Sequence, residues 1–218
     1  MNFDHEDLLR MNRVLRHRLR NFASGMKTSV SFLSKELEGR LSPSEMEYFP
    51  LIANECDGVT EMTNRMSQLF DEIPSGDEST LASVLEKTVA GLRGRFPTAR
   101  IRVEAGTVGS LRVASKQNLV LCLGEIVANA LESAPNGEVS VSCSGENGRL
   151  VIEVCDTGPG IKPEEQGNLF LPFYTTKARH LGIGLTIVKK IIGQLGGSIE
   201  ADNADGGGFR AVLALPAN

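Results

Sequence analysis

The sequence predicts an α+β protein, in which an N-terminal α-helical hairpin precedes an α/β sandwich. Residues 8–37 place apolar side chains at steps of three or four, the period of a helix, and residues 46–73 carry a second seam of this kind. A polar joint rich in Pro, Gly and Ser follows at 73–79. After this joint, short alternating strand patterns are mixed with amphipathic helix patterns. The predicted domains are therefore 1–73 and 79–218.

The first helix of the hairpin is predicted to have a single narrow apolar seam. The seam consists of Leu8, Met11, Leu15, Leu19, Phe22, Met26, Val30, Leu33 and Leu37. Gly39 is a helix-ending signal, and Ser42 to Glu45 has the pattern of a capping box with Pro43 at the first helical position. Pro50 either kinks the second helix or marks its true start. Two seams that face each other still leave apolar surface, so a four-helix homodimer is predicted.

His17 is predicted to point into solvent from the first helix, because it lies roughly 200° around the helix from Leu15. Asn21 follows one turn later on the same face. Arginines surround the histidine at positions 10, 13, 16, 18 and 20. Taken alone, this pattern also describes a solvated basic face with an incidental histidine.

The second domain is predicted to be a mixed sheet with helices on one face. An amphipathic helix covers Leu81 to Leu92, and a Gly-containing hairpin turn lies at 145–148. The predicted strands are Ile101–Glu104, Leu111–Val113, Val139–Cys143, Leu150–Val154 and Phe209–Leu215.

A carboxylate stands at the end of one of these strands, where Asp156 begins the stretch Asp-Thr-Gly-Pro-Gly-Ile. Gly158 and Gly160 allow positive φ and a close approach of a ligand to the backbone. Pro163 then begins a helix. An acid beside bare backbone is suited to hold a nucleobase, although a turn that only joins a strand to a helix has the same pattern.

Two helices are predicted to frame this turn. Glu125 and Asn129, four residues apart in the apolar run 119–134, lie on one helical face. Gly182 and Gly184 open a later helix, whose N-terminal N–H groups favour an anion such as phosphate.

Four motifs follow one another along the chain: the helix with Asn129, the turn after Asp156, a Phe-Thr-Lys segment at 169–177 and the glycine-rich helix start at Gly182. In this order they make residues 110–217 resemble the ATP-binding domain of histidine kinases, in the superfamily that includes gyrase, Hsp90 and MutL. Residues 169–177 resemble the phenylalanine box and the start of the ATP lid, with Phe170 and Phe173 expected to plug that lid into the core. Gly206 to Gly208 resemble the last glycine box. The resemblance implies that ATP and Mg²⁺ bind here.

The resemblance also implies a role for each matched residue. Asn129 is the expected Mg²⁺ ligand, Glu125 a candidate base, and Asp156 the acceptor for the adenine amine. The other expected nucleotide contacts are Gly158, Gly160, Thr176, Lys177, Gly182, Gly184 and Leu185.

The hairpin resembles the phosphoacceptor domain of the same kinases, with His17 as the phosphoacceptor. Asn21 matches the position at which many of them carry Thr or Asn to orient water for phosphatase action. Two residues depart from the family pattern: Arg18 stands where an acid is usual, and Phe22 replaces a proline. The string His17 to Asn21 resembles a divergent class with the pattern H-R-x-K/R-N, and the missing acid leaves the proton acceptor unassigned.

The predicted function is that of a cytoplasmic homodimeric histidine kinase, which phosphorylates His17 from ATP and passes the phosphoryl group to a response-regulator aspartate. An ATP-independent phosphotransferase with a decayed ATP domain is one alternative. A nucleotide-binding scaffold whose hairpin only dimerises is another. A serine kinase of the anti-sigma type would leave the hairpin unexplained.

Composition narrows the compartment and the partners. The chain has no run of about 18 apolar residues and no apolar signal core at its start, so neither a membrane span nor export is predicted. The four cysteines lack C-x-x-C spacing and are expected to be reduced core thiols. With no Trp and 5% aromatic residues, a base-stacking nucleic-acid surface is not expected. Since sixteen residues precede His17, two sources of the input signal are expected: a separate sensor protein, or an upstream sensor region that this sequence does not include.

Overall fold

The computed structural model describes residues 5–70, 77–146, 148–177 and 180–216. The chain divides into two compact units, residues 1–72 and 73–218.

The first unit is a helical hairpin. Helix α1 (His5–Glu36) packs along α3 (Tyr48–Phe70), and the short α2 (Pro43–Met46) lies in the connection. The predicted capping box is confirmed, because the Ser42 hydroxyl accepts the Glu45 N–H and the Glu45 carboxylate accepts the Ser42 N–H at 2.8 Å. Pro50 lies in the first turn of α3, where its missing N–H costs nothing, so it marks a helix start and not a kink.

The apolar seam predicted for α1 does not face α3 as a whole, because five of its residues are exposed and Leu19, Val30 and Leu37 are half-buried. Ala23 is 2% exposed and packs with the hairpin interior, whereas Phe22 is 67% exposed. The exposed face carries Met11, Leu15, Phe22, Met26 and Leu33. Arg16, one of the arginines that the alternative interpretation places on a solvated basic face, is buried at 4% exposure, and its guanidinium donates to Asn12 Oδ1 (2.7 Å) and to the Ser67 hydroxyl. Spacing alone does not show which apolar residues face α3. The hydrogen bonds of Arg16 satisfy its guanidinium, so an arginine can occupy a buried position where an apolar residue would be expected.

The second unit contains a five-stranded sheet in the order β2-β4-β5-β7-β6, in which β2 and β4 are parallel and the other pairs are antiparallel. Its strands are β2 (Arg100–Glu104), β4 (Glu138–Glu146), β5 (Arg149–Asp156), β6 (Ser198–Asn203) and β7 (Phe209–Pro216). A two-stranded ladder pairs β1 (Ser79–Thr80) with β3 (Arg112–Val113).

The helices of this unit cover the sheet. Helix α5 (Lys116–Ser133) packs between α4 (Leu81–Arg93) and α7 (Gly184–Gln194) and contacts β4 and β5. A short helix α6 (Pro163–Gln166) begins at the predicted proline. The inward positions of β5 alternate as predicted for a half-buried strand, with Leu150, Ile152 and Val154 fully buried. The predicted α+β architecture, helices on a mixed sheet, is confirmed.

Strand β6 was not predicted. Its apolar positions are Ile199 and Ala201 alone, and both are only half-buried, which is too weak a signal for alternation. Pairing with β7 fixes the strand instead, so tertiary context decides here.

The four cysteines are free thiols, and Cys56 and Cys122 are buried. Burial raises the pKa of Cys122 to about 12 and the pKa of Cys143 to about 11, so neither is ionised at neutral pH. None of the described helices is long and apolar enough to span a membrane.

Candidate functional site

Asp156, the last residue of β5, is 3% exposed and uses only one of its carboxylate oxygens within the fold. Its Oδ1 accepts the N–H of Gly158 at 2.7 Å and the N–H of Phe209 at 3.1 Å. Its Oδ2 is buried and has no hydrogen-bond partner among the described residues. A buried acceptor without a donor costs free energy, so a ligand N–H at Oδ2 would stabilise the site.

Two glycines surround this carboxylate. A Cβ at Gly158 would lie 2.9 Å from Asp156 Oδ1 and 2.9 Å from the carbonyl oxygen of Ser133. A Cβ at Gly208, whose φ is +93°, would overlap the Asp156 carbonyl group. Both positions therefore need glycine for backbone approach, and Gly208 also needs it for φ. The Gly206 to Gly208 run therefore does not only form a turn, because Gly208 also lets the backbone pass close to Asp156.

Asn203, at the end of β6, holds the loop after Asp156. Its Oδ1 accepts the N–H of Ile161 at 2.6 Å, and its Nδ2 donates to the Ile161 carbonyl at 2.9 Å. At Gly160, where φ is +76°, a Cβ would overlap the same side chain. Sequence reasoning missed Asn203 because it missed β6; the available signal was an Asn three residues before a glycine run.

Helix α5, which carries Glu125 and Asn129, ends beside this loop. Both side chains are half-buried on one helical face, as predicted from their spacing. Since a Cβ at Gly158 would meet Ser133, the C-terminal end of α5 lies against the Asp156 loop. The Glu138 N–H, which donates to Thr157 Oγ1 at 3.1 Å, fixes the other side of the turn.

Three basic side chains meet one carboxylate near Asn129. Glu132 Oε2 lies 2.6 Å from Lys177 Nζ and 3.4 Å from His180 Nε2, and Glu132 Oε1 is bonded by the Arg95 guanidinium. Glu132 itself is 16% exposed. Lys177 was a predicted contact, but neither Glu132 nor Arg95 was singled out, because nothing in a sequence pairs a loop cation with a helix 37 residues away.

The remaining predicted contacts lie in the segment that leads into α7 and in the first turn of that helix. Thr176 is exposed, and Leu185 is half-buried in the first turn of α7. Gly184 is the first residue of that helix. Gly182 has φ +65°, and a Cβ there would overlap the carbonyl oxygen of Tyr174, so only glycine fits this backbone.

The two phenylalanines expected to plug this segment into the core differ. Phe170 is half-buried, with Lys189 Nζ 5.3 Å from the ring centroid. Phe173 is 54% exposed and has φ +65°, so the expectation is wrong for this residue. A bulky residue with positive φ is rare, and the turn geometry that imposes it turns the ring away from the core.

The donor set near Asn129 suits a cation that keeps most of its own ligands. No group of three or more His, Cys, Asp or Glu side chains in the described residues could hold a metal ion. One amide oxygen is compatible with Mg²⁺, which usually retains waters and binds phosphate oxygens.

In the hairpin unit, His17 is exposed on α1, as predicted. The amide nitrogen of Asn21 lies 3.3 Å from His17 Nδ1, and Arg18 is also exposed.

Comparison with known proteins places these features in a family. Residues 114–218 match the family described as histidine kinase-, DNA gyrase B- and HSP90-like ATPases. The sensory histidine kinase/phosphatase NtrB of Azospirillum brasilense is 30% identical over 212 residues, which cover 88% of this chain and 52% of that protein. The C4-dicarboxylate transport sensor protein DctB of Rhizobium meliloti is 30% identical over 173 residues, which cover 73% of this chain and 28% of that protein.

Among solved structures, full-length ShkA in complex with AMPPNP shares the fold, with a TM-score of 0.79 and 19% identity over 95% of this chain and 46% of that one.

Residues 114–218 are thus an ATPase domain of the type shared by histidine kinases, DNA gyrase B and HSP90. The chain belongs to the two-component sensor histidine kinases. It spans about half or less of the length of these two curated relatives.

Proposed function

We propose that this chain is a cytoplasmic ATP-dependent protein-histidine kinase that phosphorylates His17 and passes the phosphoryl group to a response-regulator aspartate. Residues 1–73 would be the dimerisation and phosphoacceptor hairpin, and residues 79–218 the catalytic domain. The observation that carries the proposal is the buried, unpartnered Oδ2 of Asp156, beside glycines that leave room for a ligand.

Asp156 would recognise adenine. Its Oδ1 is occupied by two backbone N–H groups, which fix the carboxylate, and Oδ2 is left to accept the exocyclic amine of adenine. Guanine presents a carbonyl oxygen at this position, so it would set one acceptor against another. A site whose buried acceptor pairs with a donor on the ligand strongly rejects an analogue that lacks this donor.

The phosphates would extend towards the cations and towards the start of α7. Lys177 supplies charge, and the N–H groups at the start of α7 supply donors where Gly182 and Gly184 keep the backbone bare. Thr176 and Leu185 flank this path. Asn129 would hold Mg²⁺, which when bound neutralises phosphate charge during transfer.

His17 would be the nucleophile. A ring nitrogen forms a bond to the γ-phosphorus, the bond from that phosphorus to the β,γ-bridging oxygen breaks, and ADP leaves. The ring proton passes to solvent or to a base, for which Glu125 is a candidate. With its amide oxygen turned towards the Nδ1–H of His17, Asn21 would hold the tautomer in which Nε2 carries the lone pair for attack. Its amide would also position water for dephosphorylation, and the similar NtrB is named as a kinase/phosphatase.

The exposed apolar face of α1 supports dimerisation through the hairpin. Soluble monomers rarely expose a contiguous apolar face with large side chains such as Phe22, which is 67% exposed. Burial of this face against a second copy would form a four-helix bundle. The exposed arginines near His17 suit an acidic receiver domain.

Incubation with γ-labelled ATP and Mg²⁺ tests the proposal. We expect acid-labile, base-stable label on the wild type and no label on His17→Gln or Asn129→Ala. Binding of ATP without any label would favour a nucleotide-binding scaffold. Absence of both would favour an ATP-independent phosphotransferase and would overturn the proposal.

A further inference from the structure

Glu132 lies at the cation cluster that the proposed function assigns to nucleotide phosphate. It follows Asn129 by three residues on α5, about 4.5 Å further along the helix axis. Its two carboxylate oxygens bond different cations, Oε1 the Arg95 guanidinium and Oε2 the Lys177 ammonium. Only 16% of the Glu132 side chain is exposed, compared with 34% for Lys177 and 55% for Arg95.

Charge balance makes this cluster a site for an anion. Arg95 and Lys177 both reach one carboxylate, so two positive charges lie a few ångströms apart with a single negative charge between them. His180, at 3.4 Å from Glu132 Oε2, adds a further charge when it is protonated. The net positive charge is incompletely matched, and a triphosphate offers more negative charge and more acceptor oxygens than one carboxylate.

We propose that Glu132 and nucleotide phosphate compete for Arg95 and Lys177. The carboxylate of Glu132 acts as a positioning residue that gathers the two cations beside Asn129, and phosphate takes them over when nucleotide binds. Arg95 thereby becomes a second phosphate contact, from the loop after α4. This inference rests on the proposed function, because it uses the same nucleotide site.

The competition has a direct consequence for affinity. Glu132 lowers affinity for phosphate in two ways: it occupies the cations, and its own charge repels the ligand. Removing only that charge should therefore tighten nucleotide binding, despite the loss of order in the Lys177 side chain. A structural role for Glu132 gives the opposite sign, because disorder at the end of α5 would weaken binding.

Titration of the whole chain with ATP and with adenosine separates these possibilities. We expect Glu132→Gln to tighten ATP binding by about three- to tenfold, the size of one partly solvated charge pair, and to leave adenosine binding unchanged. We expect Arg95→Gln to weaken ATP binding by a similar factor without effect on adenosine. The exposed Glu86→Gln and Arg93→Gln make the same charge changes elsewhere and should alter neither affinity.

Salt dependence gives an independent readout. When the Glu132 charge is removed, the positive charges of Arg95 and Lys177 act on the phosphates without an opposing carboxylate. ATP affinity should therefore fall more steeply with salt in Glu132→Gln than in the wild type. Weaker ATP binding by Glu132→Gln, an equal change for adenosine, or an unchanged affinity would each overturn the inference.

The kinase proposal can fail separately. If ATP binds and Glu132→Gln has the expected effect but no label reaches His17, the inference holds and the kinase assignment does not. If neither the wild type nor Glu132→Gln binds ATP, both are overturned.

Discussion

The side-chain amide of Asn21 lies 3.3 Å from Nδ1 of His17, one helical turn away on an exposed face of α1. An amide can donate through nitrogen or, after a flip, accept through oxygen. When the amide oxygen accepts a hydrogen bond from Nδ1–H, the lone pair of Nε2 is free to attack phosphorus. In the proposed mechanism, Asn21 would therefore orient the ring of His17 and select the tautomer that reacts.

An acid at position 18 should increase phosphorylation. Arg18→Glu restores the residue that the family pattern has after the histidine, which can accept the ring proton. We expect the initial rate of His17 labelling to rise by about tenfold, less than the roughly 100-fold low end of general-base catalysis, because phosphoryl transfer depends mainly on positioning and charge stabilisation. Arg10→Glu, the same charge change two turns away on α1, is the control for net charge. A rate that stays unchanged in Arg18→Glu would show that proton acceptance is not limiting.

Asp156→Asn should remove adenine recognition without unfolding the domain. The asparagine keeps Oδ1 for the N–H groups of Gly158 and Phe209 but replaces Oδ2 with a donor that opposes the adenine amine. We expect ATP affinity to fall by about 100-fold, and the preference for ATP over GTP to shrink. Calorimetric titration with both nucleotides measures this, with the exposed Asp205→Asn as the control. Full ATP affinity in Asp156→Asn would place adenine elsewhere.

Gly208→Ala should destabilise the second unit much more than Gly206→Ala. The alanine Cβ would overlap the Asp156 carbonyl and adopt φ +93°, whereas a Cβ at Gly206 meets nothing within 4 Å. We expect a loss of at least about 3 kcal/mol in the free energy of unfolding for Gly208→Ala, and within about 0.5 kcal/mol for Gly206→Ala. Urea denaturation checks both, and equal stabilities would contradict the close approach of β7 to Asp156.

Phe22→Asp should dissociate the proposed dimer. The substitution places a charge in the middle of the exposed apolar face of α1, where burial against a second chain would leave it unpaired. We expect the dimer dissociation constant to rise by about 100-fold in sedimentation equilibrium. Ser24→Asp adds the same charge roughly 200° around the helix and should have little effect. Dimers that survive Phe22→Asp would move the interface off this face.

The sequence predicted the two-part architecture and most helices and strands, because long periodic segments and capping residues are local signals. The Ser42 cap and the start of α6 at Pro163 are examples. It also placed Asp156 at the end of a strand and Glu125 with Asn129 on one helix face, since these follow from spacing alone.

Contacts between distant segments were beyond such reasoning. The bonds of Asn203 to Ile161 span 42 residues, and those of Glu132 to Lys177 span 45. How far the apolar stripe of α1 turns towards α3 depends on the packing of the two helices, which spacing does not determine. The exposure of the Phe173 ring depends on a positive φ, and a phenylalanine in the sequence does not predict positive φ.

If ATP binds at Asp156 as proposed, the unpartnered Oδ2 would make the lifetime of this protein in the cell depend on the supply of ATP. Its desolvation cost weakens the ATPase domain until a nucleotide donates a hydrogen bond, and any ligand that binds only the folded state adds stability as its concentration rises. Proteases cleave chains that open transiently. When ATP falls, the domain should open more often, so starved cells would lose this protein faster than cells with ample ATP.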